Sequence, residues 1–426
     1  MQALRRAAGA GNRTGTITPL ASGGAGRPKY RASLPHVPAP LRPTLSKKRR
    51  RRLARTLAIL LLLLLMVPIL SYAWAMVQPS SLPLSMRTVE WVRDNNGAWL
   101  VSLAERYYYT LTAPRAGGPG LSSLPSLGAT GGSTARSTAG VTAPYTPAPI
   151  PPVIRPGVPG EGEWQTTTKP VRGGPPVLVT LFRPEVDYPR QLAYVAWIDS
   201  TRTQLALYPG RVQPPNATPR GPMEVPAGQR ARVLATFNGG FTYKDSQGGF
   251  AVNGTTYEPM VDGQGTVLAY ADGHVDVASW GGGPAVGPDV VAARQNLPLI
   301  VSGGRPNPAL NNTKQWGRTL GSAIRVWRTA LGVDARGNLI YMAAPGQTAP
   351  SLAAAMIHAG AVRAVELDIN SFWPTFITYA ASGAHGASAL VPNRSHGADR
   401  YLTPDDRDFF AIYLRDPGQG CAVPLQ

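Results

Sequence analysis

The residues of this chain with the clearest potential for chemistry lie in its C-terminal half. Arg328 precedes a short turn, and Glu366 and Asp368 follow a predicted apolar helix. A guanidinium can bind two phosphate oxygens at once, and paired carboxylates can transfer protons. Residues two apart on a strand face the same side, so Glu366 and Asp368 would act together. Alternatively, Glu366 pairs with a cation such as Arg363 and Asp368 caps a strand end. The first interpretation predicts a site for an anionic ligand.

A second set of small and polar residues offers contacts to such a ligand. The candidate ligand-binding residues are Asn238, Gly239, Gly240, Asn370 and Ser371. The amide of Asn238 can bind a sugar or phosphate oxygen, and two glycines let the backbone approach closely. An ordinary turn explains the same residues equally well. No metal or cofactor is predicted, because the histidines at 274, 358, 385 and 396 lack metal-ligand spacing.

The elements that position these residues are mostly strands. Apolar and β-branched runs predict strands at 177–182, 192–198, 204–208, 232–237, 266–270, 274–279, 297–301, 325–333, 339–343, 361–367 and 409–414. A turn at 199–203 suggests that the predicted strands 192–198 and 204–208 form a hairpin. One strong helix is predicted at 349–359. Many strands and few helices predict an α+β fold built on mixed sheets, preceded by one transmembrane helix.

Charge is concentrated at the N-terminus. The net charge is +19, and residues 1–56 contain 14 Lys and Arg but no Asp or Glu. This basic tail is typical of a solvated arm at a membrane surface. No specific nucleic-acid partner is expected, although a scaffold whose arm binds an anionic partner remains an alternative for this segment.

An uncharged apolar run over residues 57–77 is long enough to span a bilayer. The positive cluster before it predicts a cytoplasmic N-terminus and an extracellular C-terminal domain, which makes this a single-pass protein of the cell membrane. A cleaved signal peptide is the alternative. Five regions are therefore expected: a disordered cytoplasmic tail (1–56), the span (57–77), a juxtamembrane helical segment (78–112), a Pro/Gly-rich linker (113–176) and the folded domain (177–426). The oligomeric state is left open, as is the role of Cys421.

Several motifs resemble, in order, those of the phosphodiester glycosidase family. They are Ala196–Asp199, Thr236–Phe241, Gly248–Gly254, Leu297–Gly304, Arg328–Asp334 and Glu366–Asp368. The resemblance covers about residues 177–415. It implies that Arg328 holds a phosphate, that Asp368 or Glu366 handles the proton and that Asn238 positions the sugar.

The chain departs from the family pattern after Asp368. The family usually continues with three glycines and a serine, whereas this chain has Ile369–Trp373. Bulky side chains replace a backbone that could approach a ligand. The expected function is hydrolysis of a sugar-phosphate diester in an envelope glycan or exopolysaccharide. The alternative is a non-hydrolytic protein on the same fold that binds glycans or assists envelope assembly.

Overall fold

The computed structural model describes residues 46–127, 145–169, 171–313, 315–317, 324–380, 385–392 and 395–415. Most of the predicted tail, the middle of the predicted linker and Cys421 lie outside these residues. The chain divides into two units, Met1–Leu64 and Leu65–Gln426. All tertiary contacts discussed below lie within the second unit.

The N-terminal described region is helical. Helix α1 (Lys47–Val77) is apolar and long enough to cross a membrane, with a mean hydropathy of 2.6 in its most apolar window. Helix α2 (Leu84–Val92) and helix α3 (Ala98–Thr112) follow, separated by a bend at Arg93–Gly97. Asn96 has a positive φ of 66° in this bend, a conformation that Asn tolerates better than most residues. The predicted juxtamembrane segment thus folds as a helical hairpin.

The rest of the described chain is dominated by strands. In chain order they are β1 Val177–Phe182, β2 Ala193–Ile198, β3 Thr203–Tyr208, β4 Val233–Asn238, β5 Phe250–Val252, β6 Thr255–Glu258, β7 Gly265–Tyr270, β8 Val275–Ser279, β9 Val290–Gln295, β10 Leu299–Ser302, β11 Arg305–Pro306, β12 Val326–Val333, β13 Leu339–Gln347, β14 Arg363–Glu366, β15 Phe376–Tyr379, β16 Ala387–Ala389 and β17 Phe409–Leu414. The remaining helices are α4 (Tyr243–Ser246) and α5 (Ala349–His358), with single helical turns at Ala227–Gln229 and Arg400–Leu402.

Three sheets form from these strands. Their orders are β1-β2-β13-β12-β14-β10-β11, β16-β15-β4-β17-β3 and β6-β5-β9-β7-β8. The predicted fold class, rich in strands with few helices, is confirmed. Every pair of neighbouring strands described is antiparallel, so the expectation of mixed sheets is corrected.

The predicted hairpin between the second and third strands does not form. Strand β2 pairs with β1 and β13 in the first sheet, whereas β3 pairs with β17 in the second. The turn that begins at Asp199 therefore carries the chain from one sheet to the other. Both strands are buried almost throughout, so neither has a polar face that would reveal its partner.

The main core lies between the sheets. Its centre is an aromatic cluster in which Phe237 of the second sheet contacts Tyr341 of the first, with ring centroids 5.3 Å apart. Phe376 and Phe410 pack on the same ring at 5.8 Å and 5.1 Å. On the opposite face of the first sheet, Leu352 and other apolar residues of α5 join a second cluster. This packing fixes the first and second sheets against each other.

Part of the segment predicted as a linker packs on the domain. Glu161 pairs with Arg183 at 2.7 Å, and both side chains are nearly fully buried. Gln165 forms an isolated bridge with Val179 of β1. Ile150 and Val158 are also buried. Residues 145–169 therefore cover the edge of the first sheet.

Candidate functional site

Four polar residues meet where the first and second sheets join. Asn238 ends β4 and Arg407 lies two residues before β17, both of the second sheet. Thr329 lies in β12, and Asp368 follows β14 by two residues, both of the first sheet. Hydrogen bonds link the four residues, and the link between Thr329 and Asp368 runs through the Asp368 backbone. A site built on strand ends of two packed sheets is held by the core beneath it.

Thr329 joins the two sheets at this point. Its hydroxyl accepts hydrogen bonds from Asn238 Nδ2 at 3.2 Å and from the backbone N–H of Asp368 at 3.0 Å. The Asn238 Oδ1 accepts from the Tyr341 hydroxyl at 2.9 Å and the Thr375 backbone N–H at 3.2 Å. Asn238 is 4% exposed. The structure therefore places Asn238 beside Asp368, as a residue that holds the two strand ends together rather than one presented to solvent.

Arg407 is the cation next to Asp368. One guanidinium nitrogen, Nη2, donates to Asp368 Oδ2 at 3.1 Å and to the carbonyl of Gly240 at 2.9 Å. An arginine has five N–H groups. Within the described ranges no acceptor is found for the buried Nε or for Nη1. Because the Nε–H group is buried, only the two N–H groups of Nη1 are left, among the described residues, to meet an anion.

Asp368, the acid of this pair, binds its proton more tightly than an ordinary aspartate. Burial raises the pKa of Asp368 from its usual value of 3.8 to about 6, while Arg407 and the backbone N–H of Asn370 act in the opposite direction. That N–H donates to Asp368 Oδ1 at 2.9 Å. A carboxyl group with a pKa near neutrality can both accept and donate a proton under physiological conditions.

The two glycines of the Asn238 turn are required by packing. A Cβ atom at Gly239 would lie 2.0 Å from Asp408 Oδ2, and one at Gly240 would lie 2.1 Å from Asn296 Oδ1. Gly240 also has a φ of +139°, which side chains of L-residues rarely adopt. The turn therefore brings the Gly240 carbonyl to Arg407 and orients the guanidinium.

The bulky residues after Asp368 fill space around the pair. Trp373 is 2% exposed and lies under Arg407, whose guanidinium carbon is 4.6 Å from the ring centroid. Ile369 packs against Phe241 and Val326. The departure from the family pattern thus supplies an aromatic platform for the cation and an apolar wall beside the acid.

Arg328, which was predicted to hold the phosphate, lies among acceptors of the protein itself. Its Nε donates to Gln347 O at 2.9 Å, and its Nη1 donates to Trp316 O at 3.0 Å and to Glu366. Its Nη2 donates to Gly317 O at 3.4 Å and Ile324 O at 3.0 Å. All five N–H groups are used inside the protein. Arg328 therefore cannot bind a phosphate without losing buried hydrogen bonds.

Glu366 shares this structural environment. It is fully buried, and its carboxylate pairs with Arg328. Burial raises the pKa of Glu366 above its usual value, while the Arg328 charge lowers it and the Asp368 charge raises it. The predicted alternative partner, Arg363, instead pairs with Asp276 at the surface. The structure thus separates Glu366, bound to Arg328, from Asp368, bound to Arg407.

Asn370 and Ser371 lie in the loop after Asp368, where they are half-buried. The Asn370 Oδ1 accepts from the backbone N–H of Phe372 at 3.1 Å, which closes a tight turn. Ser371 Oγ accepts a long hydrogen bond of 3.5 Å from the hydroxyl of Tyr109 in α3. Of these two predicted ligand contacts, Ser371 touches α3 and Asn370 shapes the loop.

The segment that contains α2 and α3 covers this side of the site. Leu82 and Met86 form a buried cluster with Trp373. Tyr109 packs on the cluster that contains Phe241 and Ile369. Ser81 Oγ donates to Asp405 Oδ2 at 2.5 Å. The segment from 80 to 109 is thus part of the wall of the candidate site.

Arg407 escaped the sequence analysis although a signal was present. It belongs to Asp405–Asp408, a run of four charged residues directly before an apolar strand in a chain with only 15% charged residues. Each member pairs with an opposite charge: Asp405 with Arg400, Asp406 with Arg211, Arg407 with Asp368 and Asp408 with Arg294. Consecutive charges beside a buried strand indicate a polar site between sheets.

Comparison with known families agrees with the motifs. Residues 231–368 match the family model described as phosphodiester glycosidase. The resemblance predicted from the motifs is therefore confirmed over residues 231–368. The matched segment contains Asn238, Thr329 and Asp368 and ends before Arg407.

Two solved structures are similar over a larger part of the chain. A hypothetical protein from Synechocystis is 14% identical, with a TM-score of 0.34, over 57% of this chain and 63% of that chain. The catalytic domain of zebrafish N-acetylglucosamine-1-phosphodiester alpha-N-acetylglucosaminidase, auto-inhibited by its pro-peptide, is 13% identical, with a TM-score of 0.37, over 59% of this chain and 87% of that chain. No curated protein sequence matches the chain.

Proposed function

We propose that this protein is a membrane-anchored, extracytoplasmic glycosidase that hydrolyses a sugar-phosphate diester of an envelope glycan or exopolysaccharide. The observation that carries the proposal is the Asp368–Arg407 pair, which joins a proton-transferring acid to an incompletely used cation at the end of a segment of the phosphodiester glycosidase type. The hydrolysis requires a group to hold the phosphate and a group to handle the proton.

Arg407 is assigned to the phosphate. The two N–H groups of Nη1 are assigned to phosphate oxygens, to which a guanidinium forms strong charge-assisted hydrogen bonds. Trp373 beneath the guanidinium and the Gly240 carbonyl beside it restrict its orientation. A phosphodiester carries one negative charge, so it competes with Asp368 for Arg407. Binding would then loosen the ion pair and free Asp368 for proton transfer.

Asp368 is assigned to the attacking water. In its ionised form it accepts a proton from a water molecule as the water oxygen bonds to the anomeric carbon of the sugar. The bond between that carbon and the phosphate oxygen breaks, and its electron pair leaves with the phosphate. The products are the free sugar and a phosphate monoester, and the proton on Asp368 returns to solvent. Thr329 fixes the backbone of Asp368 during this step.

Asp368→Asn tests the assignment. We expect the full-length protein in detergent micelles to release free sugar from at least one diester in a panel of sugar-1-phosphate diesters. Asp368→Asn should lower kcat/KM by about 10²–10⁴-fold, the usual contribution of a general acid or base. Asp276→Asn is the matched control, because that aspartate also pairs with an arginine but lies on β8, outside the site. Equal activity of the two variants would contradict the role of Asp368.

One observation favours the non-hydrolytic alternative. Asp368 is only 4% exposed, and Ile369 and Trp373 occupy the neighbouring space. If no member of the panel is hydrolysed while the protein binds a phosphate-containing polysaccharide, and if Arg407→Gln abolishes that binding, the site is a glycan-binding site. Failure of both hydrolysis and binding would argue against both functions.

A further inference from the structure

Helix α3 has two faces of different chemistry. The inner face carries Val101, Glu105 and Tyr109, which are buried or half-buried. Tyr109 contacts Ser371 of the site loop. The outer face is apolar and aromatic, although it is exposed. Its residues are Trp99 (67% exposed), Leu100 (48%), Leu103 (58%), Tyr107 (70%), Tyr108 (51%) and Leu111 (67%).

These outer residues form one continuous surface. Trp99, Leu103, Tyr107 and Leu111 follow each other at four-residue spacing, which places them along one side of a helix. Leu100 and Tyr108 widen the stripe. A contiguous apolar patch of this kind is uncommon on a protein surface in water and marks an interaction site. The acidic residue of the helix, Glu105, lies on the inner face and pairs with Arg93 at 3.3 Å.

The neighbouring contacts indicate what covers this face. The last turns of α1 pack on α2: the rings of Tyr72 and Trp91 are 5.2 Å apart, and Trp91 Nε1 donates to Ser71 Oγ at 3.1 Å. Arg87 of α2 also donates to the carbonyl of Met76 at 2.7 Å. Helix α3 is connected to α2 by a five-residue bend. Helix α3 thus follows directly on the helix that packs against the last turns of α1.

The composition of the face fits a membrane surface. Trp and Tyr prefer the headgroup layer, because their rings are apolar and their N–H or O–H groups remain hydrated. Helices that lie in the interface combine such rings with Leu and with basic residues. Arg106 is exposed at the edge of the stripe, and Arg115 is exposed just after the helix. An apolar stripe with flanking cations suits a bilayer that contains anionic phospholipid.

We propose that the outer face of α3 lies in the headgroup region of the bilayer that α1 crosses. The proposal depends on the membrane anchoring proposed above and does not depend on hydrolysis. The inner face of the same helix contacts the site loop through Tyr109 and Ser371. A helix with its side chains is about 10 Å across. Membrane contact would therefore hold the candidate site about one helix diameter from the lipid surface.

The test uses the full-length chain in nanodiscs of phosphatidylcholine and phosphatidylglycerol. In a Cys421→Ser background, Trp99→Cys, Leu103→Cys and Tyr107→Cys are made separately and labelled with a nitroxide. Val186→Cys is the matched control, because that residue is 64% exposed and lies outside the helical hairpin. Collision rates with oxygen, which concentrates in lipid, and with a water-soluble nickel chelate are measured by electron paramagnetic resonance.

The three α3 labels should show more collisions with oxygen and fewer with nickel than the Val186 label. Arg106→Cys, at the edge of the stripe, should give intermediate values. Nickel accessibility of the α3 labels equal to that of Val186 would overturn the proposal. Protection from both reagents together with dipolar broadening would indicate a second copy of the chain on this face, and protection without broadening would indicate burial in protein; either result would also overturn it. Because no substrate is used, the outcome is independent of whether the protein hydrolyses a diester.

Discussion

Two arginine–carboxylate pairs lie close together in this domain and differ in what they leave available. In the first, Arg328 with Glu366, every N–H group of the guanidinium has an acceptor within the protein. In the second, Arg407 with Asp368, three N–H groups have none among the described residues. The first pair is fully used inside the protein, whereas the second keeps N–H groups without a described acceptor. Burial and ion pairing alone therefore do not distinguish the two pairs, but their remaining hydrogen-bonding capacity does.

The largest effect expected from this comparison is on stability. Arg328→Met should lower the free energy of unfolding by about 3–5 kcal/mol, because it leaves the Glu366 carboxylate buried without its partner. Replacing both residues, with Glu366→Leu added, should recover much of the loss. Chemical denaturation of the purified variants measures both changes. A loss below about 1 kcal/mol for the single variant would contradict the structural role of the pair.

Arg407→Gln should lower activity strongly and stability only modestly. We expect kcat/KM for the cleaved diester to fall by about 10²–10³-fold, as when one preorganised donor to a developing charge is removed. The stability change should be smaller than for Arg328→Met, since Arg407 makes two of five possible hydrogen bonds. Arg363→Gln, on β14 but outside the site, is the control for loss of a charge. If Arg407→Gln lowers the free energy of unfolding as much as Arg328→Met does, both pairs act in the same way, as structural ion pairs.

The pH dependence sharpens the assignment of Asp368. Its pKa of about 6 means that the carboxylate is mostly protonated at pH 5 and mostly ionised above pH 7. If ionised Asp368 accepts the proton of water, kcat/KM rises with pH through a midpoint of about 6. Arg407 lowers this pKa, so the residual activity of Arg407→Gln should have a higher midpoint. Activity that instead falls as pH rises through this range would make Asp368 an acid.

The smallest effect concerns the contact between α3 and the site loop. Tyr109→Phe removes a hydrogen bond of 3.5 Å to Ser371, which contributes about 0.5 kcal/mol or less at that length. An energy of that size corresponds to a change in KM of less than about threefold. We expect kcat to remain the same. Tyr108→Phe, on the outer face, is the matched control. A large loss of kcat in Tyr109→Phe alone would make this tyrosine part of the chemistry.

Strands that are apolar from end to end were predicted most accurately from the sequence. The predicted strands at 177–182 and 409–414 agree with β1 and β17 at both ends. Strand β9 was missed, because Arg294 and Gln295 interrupt its apolar pattern although both are buried. Arg294 is buried by its pair with Asp408 from the second sheet. A buried polar residue is recognisable only when its partner is known, and that partner lies more than one hundred residues away.

In the candidate site too, local features were predicted from the sequence and contacts between distant residues were not. The motifs located Asn238 and Asp368 and the family resemblance, because turn residues and strand ends are local features of the chain. They also selected Arg328 over Arg407, since Arg328 lies in a motif and Arg407 lies beyond the last one. Which cation faces Asp368 depends on the pairing of β17 with β4 and on the packing of the first sheet against the second.

The sequence by itself determined the apolar helix, the strand-rich fold class, the family resemblance and the presence of acids near the end of β14. These properties follow from local patterns of apolar, basic and turn residues. Only the tertiary structure decided that Arg328 is fully satisfied, that Arg407 is not, and that α3 turns its aromatic side away from the domain. The physical reason is that hydrogen bonds and burial depend on neighbours brought together from distant parts of the chain, and local patterns do not specify those neighbours.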